Sequence, residues 1–369
     1  MASRRTPTTC RRRTVLITGC SVHGLGHALA IAFHNAGLRV FATARTPEKM
    51  IGLRERGIEC LQLDVLDQGS IQRCVDDVRR LTGEDEDEEG GGGGGGGRLD
   101  CLVNNAGGGP FVGVACTRTV VDTSTSAGER ERELEKSARP RKFTDANLGY
   151  NMPVADISVP EAKALFDLNV WSYIAVTQAF LPLLLHAARK KASSPSLVLN
   201  NTSISSIEPT PHNSAYHASK VAAAMFSTHM RIELQPFNVH VVDLKTGCVH
   251  SKFHANHQDG KASLPEGSIY AVDEKVKDMT EAAMRGAFPD REDPEVWAKN
   301  VVADIMTSWE KKGWLGGSAL PLEIWRGTGA WRTWFYNCTF WPVGWWDEGW
   351  RKAVGLDLLR ERLQGVYGA

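Results

Sequence analysis

The chain has no CxxC and no HExxH, although it carries eight cysteines and eleven histidines. Those absences argue against a structural zinc site and a zinc-hydrolase motif, so no metal is expected. Scattered, unpaired cysteines read as reduced thiols of an intracellular protein. Net charge is also lacking: 43 Lys+Arg balance 43 Asp+Glu, so no nucleic-acid partner is expected. No apolar stretch reads as long enough to span a bilayer. No apolar run follows the basic start MASRRTPTTCRRR, so a secretory signal is not expected either. What is present, 42% hydrophobic and 23% charged residues over 369 positions, suits one large globular domain with additions.

Short β-branched runs alternate with helical patterns. TVLIT (14–18), LRVFATA (38–44), ECLQLDV (59–65), LDCLVNNAG (99–107), SLVLNNTS (196–203) and NVHVVDL (238–244) read as strands. Between them lie HALAIAFHNAG, SIQRCVDDVRRL, a long amphipathic helix through VPEAKALFDLNVWSYIAVTQAFLPLLLHAARK, and a helix from about Tyr216. Strands apolar on both sides predict an α/β fold: a single Rossmann-type, doubly wound parallel sheet with helices on both faces, with its core between about Arg13 and Thr246. The domain is expected over 13–320, with a Trp-rich extension over 321–369. Two stretches interrupt it. The acidic-then-glycine run 84–97 reads as a disordered loop, and the polar segment 110–149 has nothing that resembles core. Seven of the eleven tryptophans fall between Trp325 and Trp350, broken by Arg332, Pro342 and Asp347. Two readings of that tail stand open: a segment lying in a membrane headgroup layer, or a cover over the substrate pocket or a partner subunit.

TGCSVHGLG joins the first strand to the first helix. Gly19, Gly24 and Gly26, with Ser21 and Leu25 between and beside them, let a backbone approach a pyrophosphate at a helix N-terminus. A triphosphate loop would need Lys after Gly24, where Leu25 stands. The second strand ends in TAR, with Arg45 in place of the acid that usually holds a ribose 2′-hydroxyl. A guanidinium pairs with a 2′-phosphate, so NADPH/NADP+ is the expected cofactor. Asp64 and Val65 are placed to meet the adenine, and Asn105, Ala106 and Gly107 to let the backbone pass close to the cofactor. In SAYHASK, Tyr216 and Lys220 stand one helical turn apart. A cation at ~5 Å, at an effective dielectric of ~20, is worth roughly 3 kcal/mol, so Lys220 is expected to pull the Tyr216 phenol down by about two units. Ser203, thirteen positions earlier, can hold a carbonyl oxygen beside that phenol, and Asn169 can carry a relay water. Singly, each of these is an ordinary strand end, turn or exposed helix face.

Together, TG…GLG, NNAG, Asn169 in NV, and Ser203 with the YxxxK resemble the short-chain dehydrogenase/reductases over roughly residues 14–255. The chain departs from the pattern with four residues between Gly19 and Gly24 and with Thr246-Gly247 for the usual Pro-Gly, while Val249 and Ser251 still fit the contacts to the nicotinamide amide. TGCSVHGLGHALAIAFHNAGLRVFATAR, LFDLNVWSYIAVTQAFLPLLL and SIYAV are similar to the fungal NADPH-dependent 1-acyldihydroxyacetone-phosphate reductases. The resemblance implies that Tyr216 is the general acid, that Lys220 lowers its pKa and holds the nicotinamide ribose, and that Ser203 orients the substrate. It implies a relay through Asn169, a lipid-like ketone substrate, a tail on lipid droplet or endoplasmic reticulum surfaces, and a homodimer paired through the helices of Asn169 and Tyr216. The alternatives are a related reductase for a steroid, a retinoid-like carbonyl or a secondary metabolite, and a non-catalytic NADPH-binding protein of lipid surfaces. Lys245 and Lys252 are the candidates to meet a substrate phosphate.

Deleting 110–149 would rejoin NNAGGG to YNMPVADIS as the resemblance requires, so this stretch is expected to be a retained intron or a gene-model error. Mass spectrometry of a digest of the native protein should then yield no peptide from within 118–142, and such a peptide would establish a genuine insertion.

Overall fold

The computed structural model describes residues 12–88, 97–108, 151–190, 195–251, 263–284, 290–309, 311, 319–339 and 347–367. The segment 110–149, the glycines 90–96 and Lys252 lie outside the described residues. All six expected strands form: β1 (Thr14–Ile17), β2 (Arg39–Ala44), β3 (Glu59–Gln62), β4 (Cys101–Asn104), β5 (Ser196–Asn201) and β6 (Val239–Thr246). A seventh, β7 (Glu323–Arg326), joins β6, and the parallel sheet runs in the order β3-β2-β1-β4-β5-β6-β7. The order reverses between β1 and β4, and in such sheets the crevice at that point, outside the strand C-termini, is the ligand site.

Helices cover both faces. On one lie α1 (Leu25–Asn35), the short α2 (Ile51–Arg54) and, further along the chain, Pro294–Trp309; on the other are α3 (Gln68–Glu88) and a long helical run. That run is α4 (Val159–Phe166), a π turn (Asp167–Trp171) and α5 (Ser172–Lys190); α6 (Ser214–Leu234) follows β5. Then come α7 (Glu274–Met284), α8 (Pro294–Trp309), α9 (Ala330–Asn337), α10 (Asp347–Ala353) and α11 (Leu356–Tyr367). Strand alternation divides the core: Val15 and Ile17 face α1 and α8, while Leu16 faces α3 and α5. Phe33, Trp297 and Phe180 are fully enclosed. Each such side chain contributes about 1.5–3 kcal/mol of transfer free energy.

Four expectations need correction. The core does not end at Thr246, because α8 supplies Trp297, Val301 and Ile305 to one face. Residues 84–88 are helical rather than loop, since α3 is already nucleated and glutamate propagates it well. The helical run Val159–Ala188 is long and apolar enough to cross a membrane by length and composition, contrary to the reading of the sequence. Half of its apolar window is buried within the protein, where it covers the sheet. The sheet also continues past residue 320, and Trp325 lies inside β7.

The segment after β7 is bonded into the fold. Thr328 and Cys248 exchange both backbone hydrogen bonds, at 2.8 and 3.1 Å. Gly247 and Gly327 meet back to back: a Cβ on Gly247 would lie 2.4 Å from the Thr328 carbonyl oxygen. The glycine at 247 is therefore demanded by packing where the residue before it, Thr246, departs from the family's proline. Gly247→Ala is expected to cost roughly 1–3 kcal/mol through overpacking. Gly52→Ala, in α2 with open space where the methyl would go, is expected to be neutral or stabilising by up to about 1 kcal/mol. Denaturant titration of the two variants checks the contrast.

Candidate active site

The crevice at the switch point is lined by the residues that the sequence singled out. Gly19 takes φ +75°, and a Cβ there would lie 2.9 Å from the Ala106 Cα. A Cβ on Gly26 would lie 2.5 Å from the Gly19 carbonyl oxygen and 2.6 Å from Asn105 Nδ2, so the first turn of α1 can approach β1 and β4 only as glycine. Gly24 closes the turn by donating to the Ser21 carbonyl, and Leu25 opens α1. The Thr18 hydroxyl accepts from the Asn105 and Ala106 amides at 2.9 and 2.8 Å. Arg45 is exposed at the end of β2, and its carbonyl accepts from Gln62 at 3.1 Å. Asp64 caps its own turn by accepting from the Leu66 amide, beside buried Val65. This bare-backbone cradle at a helix N-terminus, with an exposed guanidinium one strand away, fits a nicotinamide dinucleotide.

Further along the same edge, Ser203, Tyr216, Lys220 and Asn169 are all buried. A hydrogen bond from Ser203 favours the Tyr216 phenolate. The same single proton can turn instead to the Thr246 carbonyl at 3.2 Å, and the Ser203 oxygen accepts from the Ser205 amide at 3.1 Å. Lys220 Nζ donates to the Asn201 carbonyl at 3.1 Å and stands 5.8 Å from the Tyr216 ring centre. Burial outweighs the Ser203 bond and pushes the Tyr216 phenol up to about 12. The expected direction, a phenol depressed by the neighbouring cation, is reversed here. The ammonium is directed at Asn201, and desolvation of the ring dominates. Burial also draws Lys220 down to about 8, with the Asp243 charge opposing the fall.

Asn169 sits on the π turn, a local widening of the helix that is frequent at functional sites. Its amide nitrogen donates to the Gly108 carbonyl at 2.9 Å and to the Ser219 hydroxyl at 3.0 Å, and its oxygen accepts from the Gly108 amide at 2.9 Å. In this arrangement it clamps the loop after β4 to α6. Gly107 is bare beside it, where a Cβ would lie 3.1 Å from Asn169 Oδ1 and 3.6 Å from Lys220 Nζ. Val249 is buried and its segment bridges Glu292, with Ser251 partly exposed two residues on.

Other residues belong to the site that reading the sequence passed over. Tyr173 donates to the same Asn201 carbonyl at 2.9 Å. The Asn201 side chain donates to Asn105 at 2.8 Å and accepts from Thr246 at 2.6 Å. The signal was visible: two Asn-Asn pairs, 104–105 and 200–201, stand in register at the ends of adjacent strands. Lys245, expected to meet a substrate phosphate, is instead only 2% exposed and paired with Asp243 at 2.7 Å. On the loop after Ser203, buried Glu208 accepts from Thr333 at 2.7 Å and from Arg332 at 3.1 Å, which ties α9 to the site.

A sequence profile described as short chain dehydrogenase matches residues 13–127 and 145–262. The chain belongs to the short-chain dehydrogenase/reductase family, whose members bind nicotinamide cofactors and carry out oxidoreduction. It is 36% identical over 356 residues to a short-chain dehydrogenase/reductase of Pestalotiopsis microspora, covering 96% of this chain and 98% of that one. It is 31% identical over 258 residues to an NADPH-dependent 1-acyldihydroxyacetone phosphate reductase of Schizosaccharomyces pombe, covering 69% and 67%. A solved short-chain dehydrogenase from Streptomyces avermitilis shares the fold, with a TM-score of 0.57 at 20% identity over 89% of this chain and 93% of that one.

The shifted groups fix a pH dependence. Tyr216 keeps its proton up to about 12 and so remains a proton donor throughout the neutral range. Lys220, drawn below the ordinary lysine value, loses its charge as pH rises through about 8. For carbonyl reduction, kcat/KM for the cofactor, which reports the free enzyme, is expected to be level near pH 7 and to fall above about 8. A pH-rate profile checks this, and Lys220→Met should lower the rate while abolishing that limb.

Proposed function

We propose that the chain reduces a lipid-like ketone with NADPH, and that 1-acyldihydroxyacetone phosphate, giving 1-acylglycerol 3-phosphate, is its substrate. The observation that carries the cofactor choice is Arg45, exposed at the end of β2 where an acid would select NAD. Gly19, Ser21, Gly24, Leu25 and Gly26 would cradle the pyrophosphate, Asp64 and Val65 the adenine, Asn105 to Gly107 the ribose side, and Val249 and Ser251 the carboxamide. When bound, the dinucleotide supplies the reducing equivalent. The protein supplies position and the proton. Ser203 donates toward the substrate oxygen and stabilises the charge that develops on it. Tyr216, protonated at neutral pH, gives that oxygen its proton. Lys220 compensates the negative charge left on the phenol, and Asn169 holds Gly107 and Gly108 open beside it.

Two surfaces support further parts of this reading. Trp331, 72% exposed, stacks on Phe335 with ring centres 5.8 Å apart, and Trp334 is exposed on the same helix. An aromatic ridge of this kind suits a lipid-droplet or endoplasmic reticulum surface. Trp171, Val221 and Met225 are exposed on the helical elements that carry Asn169 and Tyr216, a face suited to a homodimer. The pairing of Lys245 with Asp243 favours a second reading of the substrate: a neutral ketone of steroid, retinoid or secondary-metabolite type, with no phosphate to bind.

Loss of NADPH absorbance on adding 1-acyldihydroxyacetone phosphate in detergent tests the reading, with the unphosphorylated ketone as comparison. The expected result is turnover preferring the phosphorylated substrate, reduced at least about a hundredfold by Tyr216→Phe. Preference for the unphosphorylated ketone would move the assignment to the second reading. Arg45→Glu is expected to cut the NADPH-over-NADH preference about tenfold or more, the value of one charge-assisted bond of ~1.5–3 kcal/mol.

A further inference from the structure

On β6, Val241 packs into the core beneath α5 and α6. Asp243 and Lys245, two and four residues further along, face the same way. The strand thus turns from apolar to fully charged where the sheet runs under the catalytic helix. Both side chains are buried, and they pair at 2.7 Å. Stripping two ions of water is costly, and a pair of well-packed apolar residues would serve stability as well or better.

The second partner of each ion shows what the pair holds. Asp243 Oδ1 accepts from the hydroxyl of Thr202, the residue before Ser203. Lys245 Nζ donates to the Ser206 hydroxyl at 3.0 Å, and that hydroxyl donates to the Ser203 carbonyl at 2.7 Å. Ser203 is therefore gripped on both sides by one ion pair, while its own hydroxyl rests on the carbonyl of Thr246, next to Lys245.

We propose that Asp243 and Lys245 are positioning residues of this oxidoreductase: the pair sets the Ser203 hydroxyl against Tyr216. The inference rests on the Ser203–Tyr216–Lys220 chemistry above and is independent of which ketone is the natural substrate.

Asp243→Asn, Lys245→Met, the double variant and Ser206→Ala test it in the full-length enzyme. Each single charge removal strands a buried ion and should lower the melting temperature. The double variant strands none and should melt near the wild type. Hydrogen exchange, which needs no substrate, should speed up over 202–208 in the double variant and in Ser206→Ala, with β1 and β4 unchanged. With 9,10-phenanthrenequinone as a generic carbonyl probe, kcat should fall tenfold or more at nearly constant KM in both. Wild-type exchange over 202–208 in the double variant and Ser206→Ala overturns the positioning of Ser203. A wild type that fails to reduce the probe counts against the catalytic reading, while the exchange result still decides the positioning.

Discussion

One carbonyl oxygen, that of Asn201, is the joint on which the site depends. It accepts from Lys220 and from Tyr173, while the side chain of the same residue reaches Asn105 on one neighbouring strand end and Thr246 on the other. Three parallel strand ends, the helix of Tyr216 and the helix of Tyr173 thus meet at a single residue. A carbonyl has two lone pairs, and both are used. Networks of this kind in a dry interior are costly when any member is missing and rigid when all are satisfied. That rigidity holds Lys220 and Tyr173 in place beside the buried Tyr216.

The alternation of apolar runs and helical patterns located six strands, because a parallel sheet covered on both faces demands apolar residues at every position. It did not locate β7. EIWR is four residues long with a charge at each end, and its neighbours are tryptophans that resemble a surface tail. Its membership in the sheet comes from pairing with β6, a contact between positions about eighty residues apart that no local window reports.

The site was legible to different depths. Spacing put Tyr216 and Lys220 on one helical turn, and the resemblance carried by the joint motifs set Ser203 beside them. The direction of the Tyr216 shift was not legible, because the sign depends on burial, and burial belongs to the packed fold. Lys245 was misread for a related reason: a lysine at a strand end looks exposed until the partner on the same strand face, Asp243, is seen to be enclosed with it. Asn169 shows a third case. Its position was apparent, but the π turn that aims it at Gly108 leaves no mark in the residue pattern.

The two glycines that meet at 247 and 327 have a consequence for the order in which the enzyme comes into being. Synthesis proceeds from the N-terminus, and domains generally fold as units. The cofactor cradle, from β1 to β4, is complete early in the chain. The wall that carries Val249 and Ser251 can pair with Glu292 first, and acquires the last of its backbone partners only when Gly327 and Thr328 have been made. A growing chain therefore carries Tyr216 and Lys220 well before it owns a finished groove, and the interval between the two is set by the time needed to translate the intervening residues.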